Sequence, residues 1–435
     1  MAQSYKAPKS VKQKPIAATK DILIYADFGC TTGFGNVAKE LVDNWSKQAD
    51  KKTHFYIFAL NNFAPEIYNY APNVTVMPAN IMPGATKEDM FQRAAFVQLF
   101  TKLDFNVIYM LNDIEIIGTI SGDLKLNNVD RKKLKKLQHK TIFYFPIDSI
   151  PRSADLTFLQ NFDEIVTFTE YGKKIIQSLA PPAVAEKIQV LPHGVNVLDF
   201  HKLTTPQIQR AKTKMFGEKK FVVGSVNRNS ARKDIANTIL GFHKFYNDWQ
   251  NLPSVQKNLV LYCHCNPEDT AGPNLRFLLQ RLNLVEGKNV FFPKNFSENK
   301  GFDISELNTL YNTFDCFITT TTAEGWGLTL TEAMATKTPC IAPMHTSFVE
   351  ITEKGSLCLA LPTEETVFVA DANKIRYKTS PSKVAQALHQ MYNEVEFHYD
   401  HNKPMQMAEK AHQKVITYNW ETTSNSFWNL IQKYL

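Results

Sequence analysis

Apolar residues fall along this chain in short runs, separated by longer stretches in which they return at helical spacing. In the first half the runs lie at 21–26, 54–59, 74–77, 107–111, 141–145, 164–168 and 188–191. Each is short enough for a strand. A helical pattern over 36–45 follows the first, and helical segments fill most of the other gaps. After a polar stretch at 196–220 the pattern starts afresh, with apolar runs at 221–226, 259–263, 290–292, 316–319 and 340–342. Strands alternating with helices predict parallel sheets covered on both faces, here two of them. The predicted organisation is a tail at 1–20, a first α/β domain at 21–195, a linker or hinge region at 196–220, and a second α/β domain at 221–405. A terminal helical segment at 406–435 completes the chain. No short-period repeat is visible; the halves share an architecture rather than a sequence. Ligands of such open sheets sit beyond the C-terminal ends of the strands, so the cleft between the halves is the expected site.

Length agrees with this division, since 435 residues exceed one ordinary core. A 44% apolar share with 21% charged residues is that of an ordinary soluble globular chain. No apolar run approaches the roughly 18–20 residues of a membrane-spanning helix, and the start has no apolar core for export. Six cysteines are scattered, which suggests a reducing compartment, and the expected location is cytoplasmic. Cys263-His264-Cys265 has no second ligand pair at metal-binding spacing, so a buried strand is the better reading. The formal charge of +7 is mild, and five lysines (Lys6, Lys9, Lys12, Lys14 and Lys20) lie in the tail. A second basic run at 131–140 reads as a solvated helix face. The alternative is contact with an anionic partner, either nucleic acid or a membrane surface.

The most informative stretch is Ala323-Glu324-Gly325-Trp326-Gly327-Leu328-Thr329-Leu330-Thr331-Glu332-Ala333-Met334-Ala335. An apolar strand enters a threonine-rich turn, a Gly-x-Gly loop follows, and then a helix. This layout aims unpaired helix N–H groups at whatever lies above the loop. Glycines allow close approach of a ligand to the backbone. Two carboxylates, Glu324 and Glu332, stand ready to accept from hydroxyls. A phosphate held by the N–H groups between them would make this a site for a sugar–diphosphate–nucleoside. Earlier, Arg228 and Lys233 follow the first strand of the second half. Preorganised cations there would stabilise the charge that grows on a departing diphosphate. Arg232 is adjacent to Lys233.

The Glu-x7-Glu stretch, with Glu-Gly-Trp-Gly-Leu inside it and Thr338-Pro339-Cys340 and Ser347-Phe348-Val349-Glu350 after it, resembles the signature of retaining glycosyltransferases with two facing Rossmann-like domains (the GT-B fold). Glycosyltransferase family 4, the glycosyl transferases group 1, is the nearest pattern. The resemblance runs from about Asp21 to the C-terminus. It implies that the first domain serves the acceptor and the second a nucleotide-sugar donor, and that the last helix returns to brace the first domain. It implies that Glu324 contacts hydroxyls of the transferred sugar and Glu332 those of the ribose. The N–H groups of Trp326, Gly327, Leu328 and Thr329 would hold sugar and phosphate, and Arg228 and Lys233 the diphosphate. It further implies that Gly33 and Gly35, in the loop after the first strand, approach the donor from the opposite domain. The loop carrying Asn295 would cradle the base, most often that of a UDP- or GDP-sugar. Many members have a His-Asp pair where this chain has Asp148 without a histidine. Asp148 is therefore left as a sugar or acceptor contact, or a turn residue.

The chain has no Asp-x-Asp, so no metal and no resident cofactor are expected. The predicted activity is transfer of a sugar, with retention, to an acceptor the sequence does not name. A modified DNA base or an anionic membrane lipid is an alternative acceptor. A nucleotide-sugar epimerase, or a silent nucleotide-sugar-binding protein, is a second alternative.

Overall fold

The structure, a computed structural model, describes residues 19–126, 139–218, 220–252, 255, 258–294, 302–369, 374–397 and 402–435. Asn295, most of the basic tail and most of the run at 131–140 lie outside them.

The first half forms an eight-stranded sheet in the order β3-β4-β2-β1-β5-β6-β7-β8. Its strands are β1 (Lys20–Asp27), β2 (Thr53–Leu60), β3 (Tyr68–Ala71), β4 (Val74–Pro78), β5 (Val107–Leu111), β6 (Lys140–Phe145), β7 (Glu164–Thr167) and β8 (Gln189–Val190). All pairings are parallel except β3 with β4. The central strand β1 is buried on both faces from Ile22 to Asp27, which is why it reads as a continuous apolar run rather than an alternation. The helix Gly33–Gln48 starts where the Thr32 hydroxyl accepts from the Gly35 N–H at 3.0 Å. It buries Val37, Ala38, Leu41, Val42 and Trp45, a stripe at helical spacing.

The second half is a six-stranded parallel sheet in the order β11-β10-β9-β12-β13-β14. It is built from β9 (Phe221–Val226), β10 (Leu259–His264), β11 (Val290–Phe291), β12 (Cys316–Ile318), β13 (Cys340–Pro343) and β14 (Leu359–Leu361). Cys263 and Cys265 are buried in the core around β10. The sequence expectation therefore extends to both sheets. It omitted β3, β14 and an antiparallel pair, β15 (Glu365–Val369) with β16 (Lys374–Lys378). It also left the helix Thr205–Phe216 inside a stretch read only as polar. That helix is set by a capping box of Thr204 and Gln207.

In both sheets the strand order reverses, between β1 and β5 in the first and between β9 and β12 in the second. The crevices at these reversals are where doubly wound sheets take ligands. The halves meet through an aromatic core. His193 lies among Phe168, Trp326 and Trp420, with ring centroids 4.0, 5.5 and 5.7 Å away. Burial pushes its imidazole down to about 3, so it is a neutral packing residue. Beside it the Val195 N–H donates to Tyr418 O at 2.6 Å, and the Thr423 hydroxyl to Pro192 O at 2.8 Å. Gly194 packs so closely on the Trp420 backbone that any side chain would overlap it. From this crossing the helix Trp420–Gln432 runs back onto the first half, where the Trp45 indole N–H donates to Ser424 O at 3.1 Å. Among the described residues no helix is long and apolar enough to cross a membrane.

Candidate active site

The second half brings its chemistry to the ends of β9 and β12. After β12 the chain enters Thr319-Thr320-Thr321-Thr322, and these hydroxyls fasten two loops together. Thr320 Oγ1 donates to Asp234 O at 2.8 Å, and Thr322 Oγ1 to Arg232 O at 3.0 Å. The Thr322 N–H also donates to Arg232 O, at 2.8 Å. Thr321 Oγ1 donates to Ala323 O at 2.9 Å. Thus the threonine run, polar and yet almost fully buried, satisfies backbone carbonyls that the turn would otherwise strand. Its result is to hold residues 232–234 against Glu324.

Glu324 is buried and forms an ion pair with Lys233. Arg232 Nη1 lies 3.1 Å from the same carboxylate oxygen and donates to Ala323 O at 2.6 Å. Burial alone would raise the Glu324 carboxyl, but Lys233 and Arg232 carry it below the usual carboxylate value. Burial pulls the Lys233 ammonium down, against the attraction of Glu324. Arg228 sits on the rim, where its fork binds the buried Asp269 through Nε at 2.7 Å and Nη2 at 3.2 Å. Three cations of this loop thus stand at the end of β9, two on Glu324 and one at the edge.

Gly327 ends the loop with φ 107°, a conformation L side chains rarely adopt, and caps the helix Leu328–Ala335. Its carbonyl accepts from Leu330 and Thr331. The N–H groups of Leu328 and Thr329 precede any intrahelical partner. The Trp326 ring is turned into the interdomain core against His193 and Tyr418, so only its backbone faces the loop's ligand side. Glu332, one turn into the helix, accepts from Tyr311 Oη at 2.6 Å. Burial pushes its carboxyl up to about 7, opposed by the tyrosine hydrogen bond. A carboxyl raised in the folded chain stabilises the fold fully below its ordinary value of 4.5, and that contribution is lost as pH rises through about 7. Glu332→Gln is therefore expected to flatten the decline in stability between pH 5 and 8, measured by thermal unfolding at each pH. An unchanged slope would show that Glu332 is ionised throughout.

Across the cleft, a side chain at Gly33 would lie in ordinary contact, 3.6 Å, with Leu328 Cδ1, so this exposed glycine faces the start of the helix Leu328–Ala335. Gly35 is buried beneath, its N–H taken by Thr32 and its α-carbon too close to Cys30 O for a side chain. The loop rests on Asp27, whose buried carboxylate accepts from Thr32 Oγ1 at 2.6 Å and Asn61 Nδ2 at 3.1 Å. Gly325 packs directly on Pro146 of the first half. Two residues on, Asp148 faces three cations: Arg376 Nη1 at 3.2 Å, Lys374 Nζ at 3.5 Å and Arg232 Nε at 3.9 Å.

The structure thus gathers Lys233, Glu324, Gly325, Leu328, Thr329, Gly33 and Asp148 around one cleft. Arg228 stands at its rim, Glu332 lies on the helix itself, held by Tyr311, and the Trp326 side chain lies in the core. Arg232, noted in the sequence only as the neighbour of Lys233, joins it on Glu324, and residues the sequence reading passed over are Asp27, Lys374 and Arg376. The alternation Lys374-Ile375-Arg376-Tyr377-Lys378, three cations on one strand face, was the available signal for the last two.

Residues 208–375 match the glycosyl transferases group 1 family. The match lies in the second half of the molecule and covers less than half of the chain. The chain is 25% identical over 295 residues to a probable sucrose-phosphate synthase of Thermosipho melanesiensis, a match covering 66% of this chain and 58% of that one. It is 24% identical over 186 residues to the alpha-monoglucosyldiacylglycerol synthase of Acholeplasma laidlawii, covering 42% of each. The chain therefore aligns with about half the length of these curated relatives. Among solved structures it resembles the sucrose-phosphate synthase of Thermosynechococcus elongatus, with TM-score 0.69, 16% identity, and coverage of 95% of this chain and 98% of that one. It also resembles Anabaena HepE in complex with UDP and glucose, with TM-score 0.65, 16% identity, and coverage of 95% and 100%. The fold is that of GT-B glycosyltransferases.

Proposed function

We propose that this group 1 chain is a retaining, metal-independent glycosyltransferase that takes its sugar from a nucleotide diphosphate. The observation that carries the reading is the Lys233–Glu324 pair at the end of β9, beside the free N–H groups of the helix Leu328–Ala335 and with Arg228 on the rim. A diphosphate laid across this corner meets two cations and a helix N-terminus. Glu324 then exchanges part of its ion pairing for hydrogen bonds from the sugar. Glu332, in its ionised form, accepts from the ribose. In the step itself the bond from the anomeric carbon to the diphosphate oxygen breaks, and the bond to the acceptor oxygen forms on the same face. The acceptor's proton passes to the departing phosphate oxygen, which Arg228 and Lys233 stabilise as charge develops. These cations serve in place of a metal.

UDP-glucose is the first donor to try, because HepE has been solved with UDP-glucose and the fold is shared. A thermal-shift comparison of UDP-, GDP-, ADP- and dTDP-sugars should show stabilisation by one of them that grows with concentration. No shift with any would refute the donor reading. The second reading concerns the acceptor. Similarity to a monoglucosyldiacylglycerol synthase favours a lipid, and similarity to sucrose-phosphate synthases favours a soluble sugar phosphate. Incubating labelled UDP-glucose with fructose 6-phosphate and, separately, with diacylglycerol vesicles tells them apart by which fraction takes the label. Because Glu332 is raised to about 7, donor affinity is expected to strengthen as pH rises from 6 to 8, and Glu332→Gln to remove that dependence.

A further inference from the structure

The ion pairs around the cleft form one chain of alternating charge that crosses between the halves. It begins at Glu115 in the helix Ile114–Leu126 of the first half, 2.9 Å from Lys374 Nζ. Lys374 and Arg376 converge on Asp148, Arg232 connects Asp148 to Glu324, and Lys233 closes on Glu324. Lys374 and Arg376 are carried by the β15–β16 pair of the second half, whereas Glu115 and Asp148 belong to the first. The matched family region ends at residue 375, inside β16.

This pair of strands is tied to the donor loops as firmly as it reaches across. The Tyr377 N–H donates to Thr322 O at 2.9 Å, two residues before Glu324. The Tyr377 ring stacks on His345 at 5.4 Å with 19° between planes, and His345 Nε2 meets Thr321 O at 2.8 Å. Lys378 Nζ lies 3.6 Å from Asp234, next in sequence to Lys233. Residues 374, 376 and 378 share one strand face by the two-residue period, so one face of β16 carries a row of cations. The Arg376 side chain is only 11% exposed, so its charge is committed to this contact. Burial would raise the Asp148 carboxyl, but Lys374, Arg232 and Arg376 together carry it well below the ordinary carboxylate range. Asp148 is therefore held as a fixed anion. Its place is beside the Pro146–Gly325 contact, at the end of β6 where the acceptor half faces Glu324.

We propose that Lys374 and Arg376 are positioning residues for transfer: carried by the donor half, they hold Asp148 of the acceptor half as the carboxylate that orients the incoming hydroxyl. The assignment rests on the transferase reading above. Arg376 and Lys374 act only when the two halves are together, so orientation of the acceptor and closure of the cleft become one event. Before transfer the hydroxyl gives its hydrogen bond to Asp148; as the glycosidic bond breaks, the same O–H turns to the departing phosphate oxygen, which takes the proton, so Asp148 stays ionised throughout. The pairing also keeps that carboxylate from competing with the diphosphate for Lys233, since its cations are already assigned.

The test uses the full chain with UDP-glucose as probe and release of UDP as readout, water serving as the incoming hydroxyl. Arg376→Ala and Asp148→Asn are each expected to lower the turnover number by about 10²-fold, the scale of a misplaced reacting group. The double variant should fall no further, because both act through one contact. Arg376→Lys, which keeps the charge, should recover most of the loss. The UDP-glucose dissociation constant from thermal shift should change less than about threefold in Arg376→Ala, since the donor does not touch it. Losses that multiply in the double variant, normal turnover in Arg376→Ala, or a parallel loss of UDP-glucose binding would each overturn the proposal. If the unaltered chain neither binds nor turns over UDP-glucose or any other nucleotide sugar, the transferase reading itself fails. That outcome is separate from a failure seen only in the variants.

Discussion

Lys233→Ala is expected to lower turnover of the nucleotide-sugar donor by about 10²–10³, as for other lost transition-state donors. The ammonium sits at the end of β9, where the diphosphate would gain charge as the glycosidic bond breaks, and it is mostly buried. A cation in such a place acts at lower effective dielectric than one on the rim, so its loss costs more. It also pairs with Glu324. Removing one partner of a buried pair usually destabilises by about 3–5 kcal/mol because the other charge is stranded. Here Arg232 Nη1 remains 3.1 Å from the same oxygen, so the fold should lose less than that range. The predicted signature is a folded protein with a collapsed turnover number, checked by thermal unfolding beside steady-state kinetics. Near-normal turnover would move the diphosphate away from this corner. Arg228→Ala makes a useful companion, because Arg228 is exposed and its removal leaves the Asp269 carboxylate without this partner.

The largest expected effect on stability belongs to the last helix. Phe427→Ala should cost about 3–5 kcal/mol, the usual range for removing a fully buried phenyl ring. Phe427 has no exposed surface and lies 4.7 Å from the Tyr144 ring, 5.5 Å from Tyr109 and 6.2 Å from Trp45. Those three rings belong to β6, β5 and the helix Gly33–Gln48, so the C-terminal residues complete the core of the N-terminal half. Loss should appear in denaturant unfolding as a lower midpoint. A cost under about 1 kcal/mol would mean that the first half closes its own core. On the proposed reading the donor binds the second half, so its binding should survive at temperatures where both forms are folded.

How legible this was from the chain depended on whether the signal was local. The runs at 221–226 and 316–319 read as buried strands because both faces of a parallel sheet are covered, and they are β9 and β12. The Gly-x-Gly loop before the helix Leu328–Ala335 read correctly because a φ of 107° at Gly327 and a helix cap are demands of a few adjacent residues. β15 and β16 were missed because their support is elsewhere: a hydrogen bond to Thr322 and ion pairs to Asp148 and Glu115. Trp326 shows the same limit in another form. Its backbone belongs to the loop, but its ring fills a core built from His193 and Tyr418, more than ninety residues away on either side.

By itself, then, the sequence determined two α/β halves, a glycine-bearing loop at a helix N-terminus, and the residue types suited to a diphosphate and to sugar hydroxyls. Those follow from periodicity and turn chemistry, which act over a few residues. Only the tertiary structure decided which charges meet. It put Arg232, rather than Lys233 alone, on Glu324. It surrounded Asp148 with cations from a strand pair more than two hundred residues later. It also carried the last helix back onto Trp45. Charge pairing and core packing depend on separation in space, and the strand orders of two sheets, not any local pattern, set that separation.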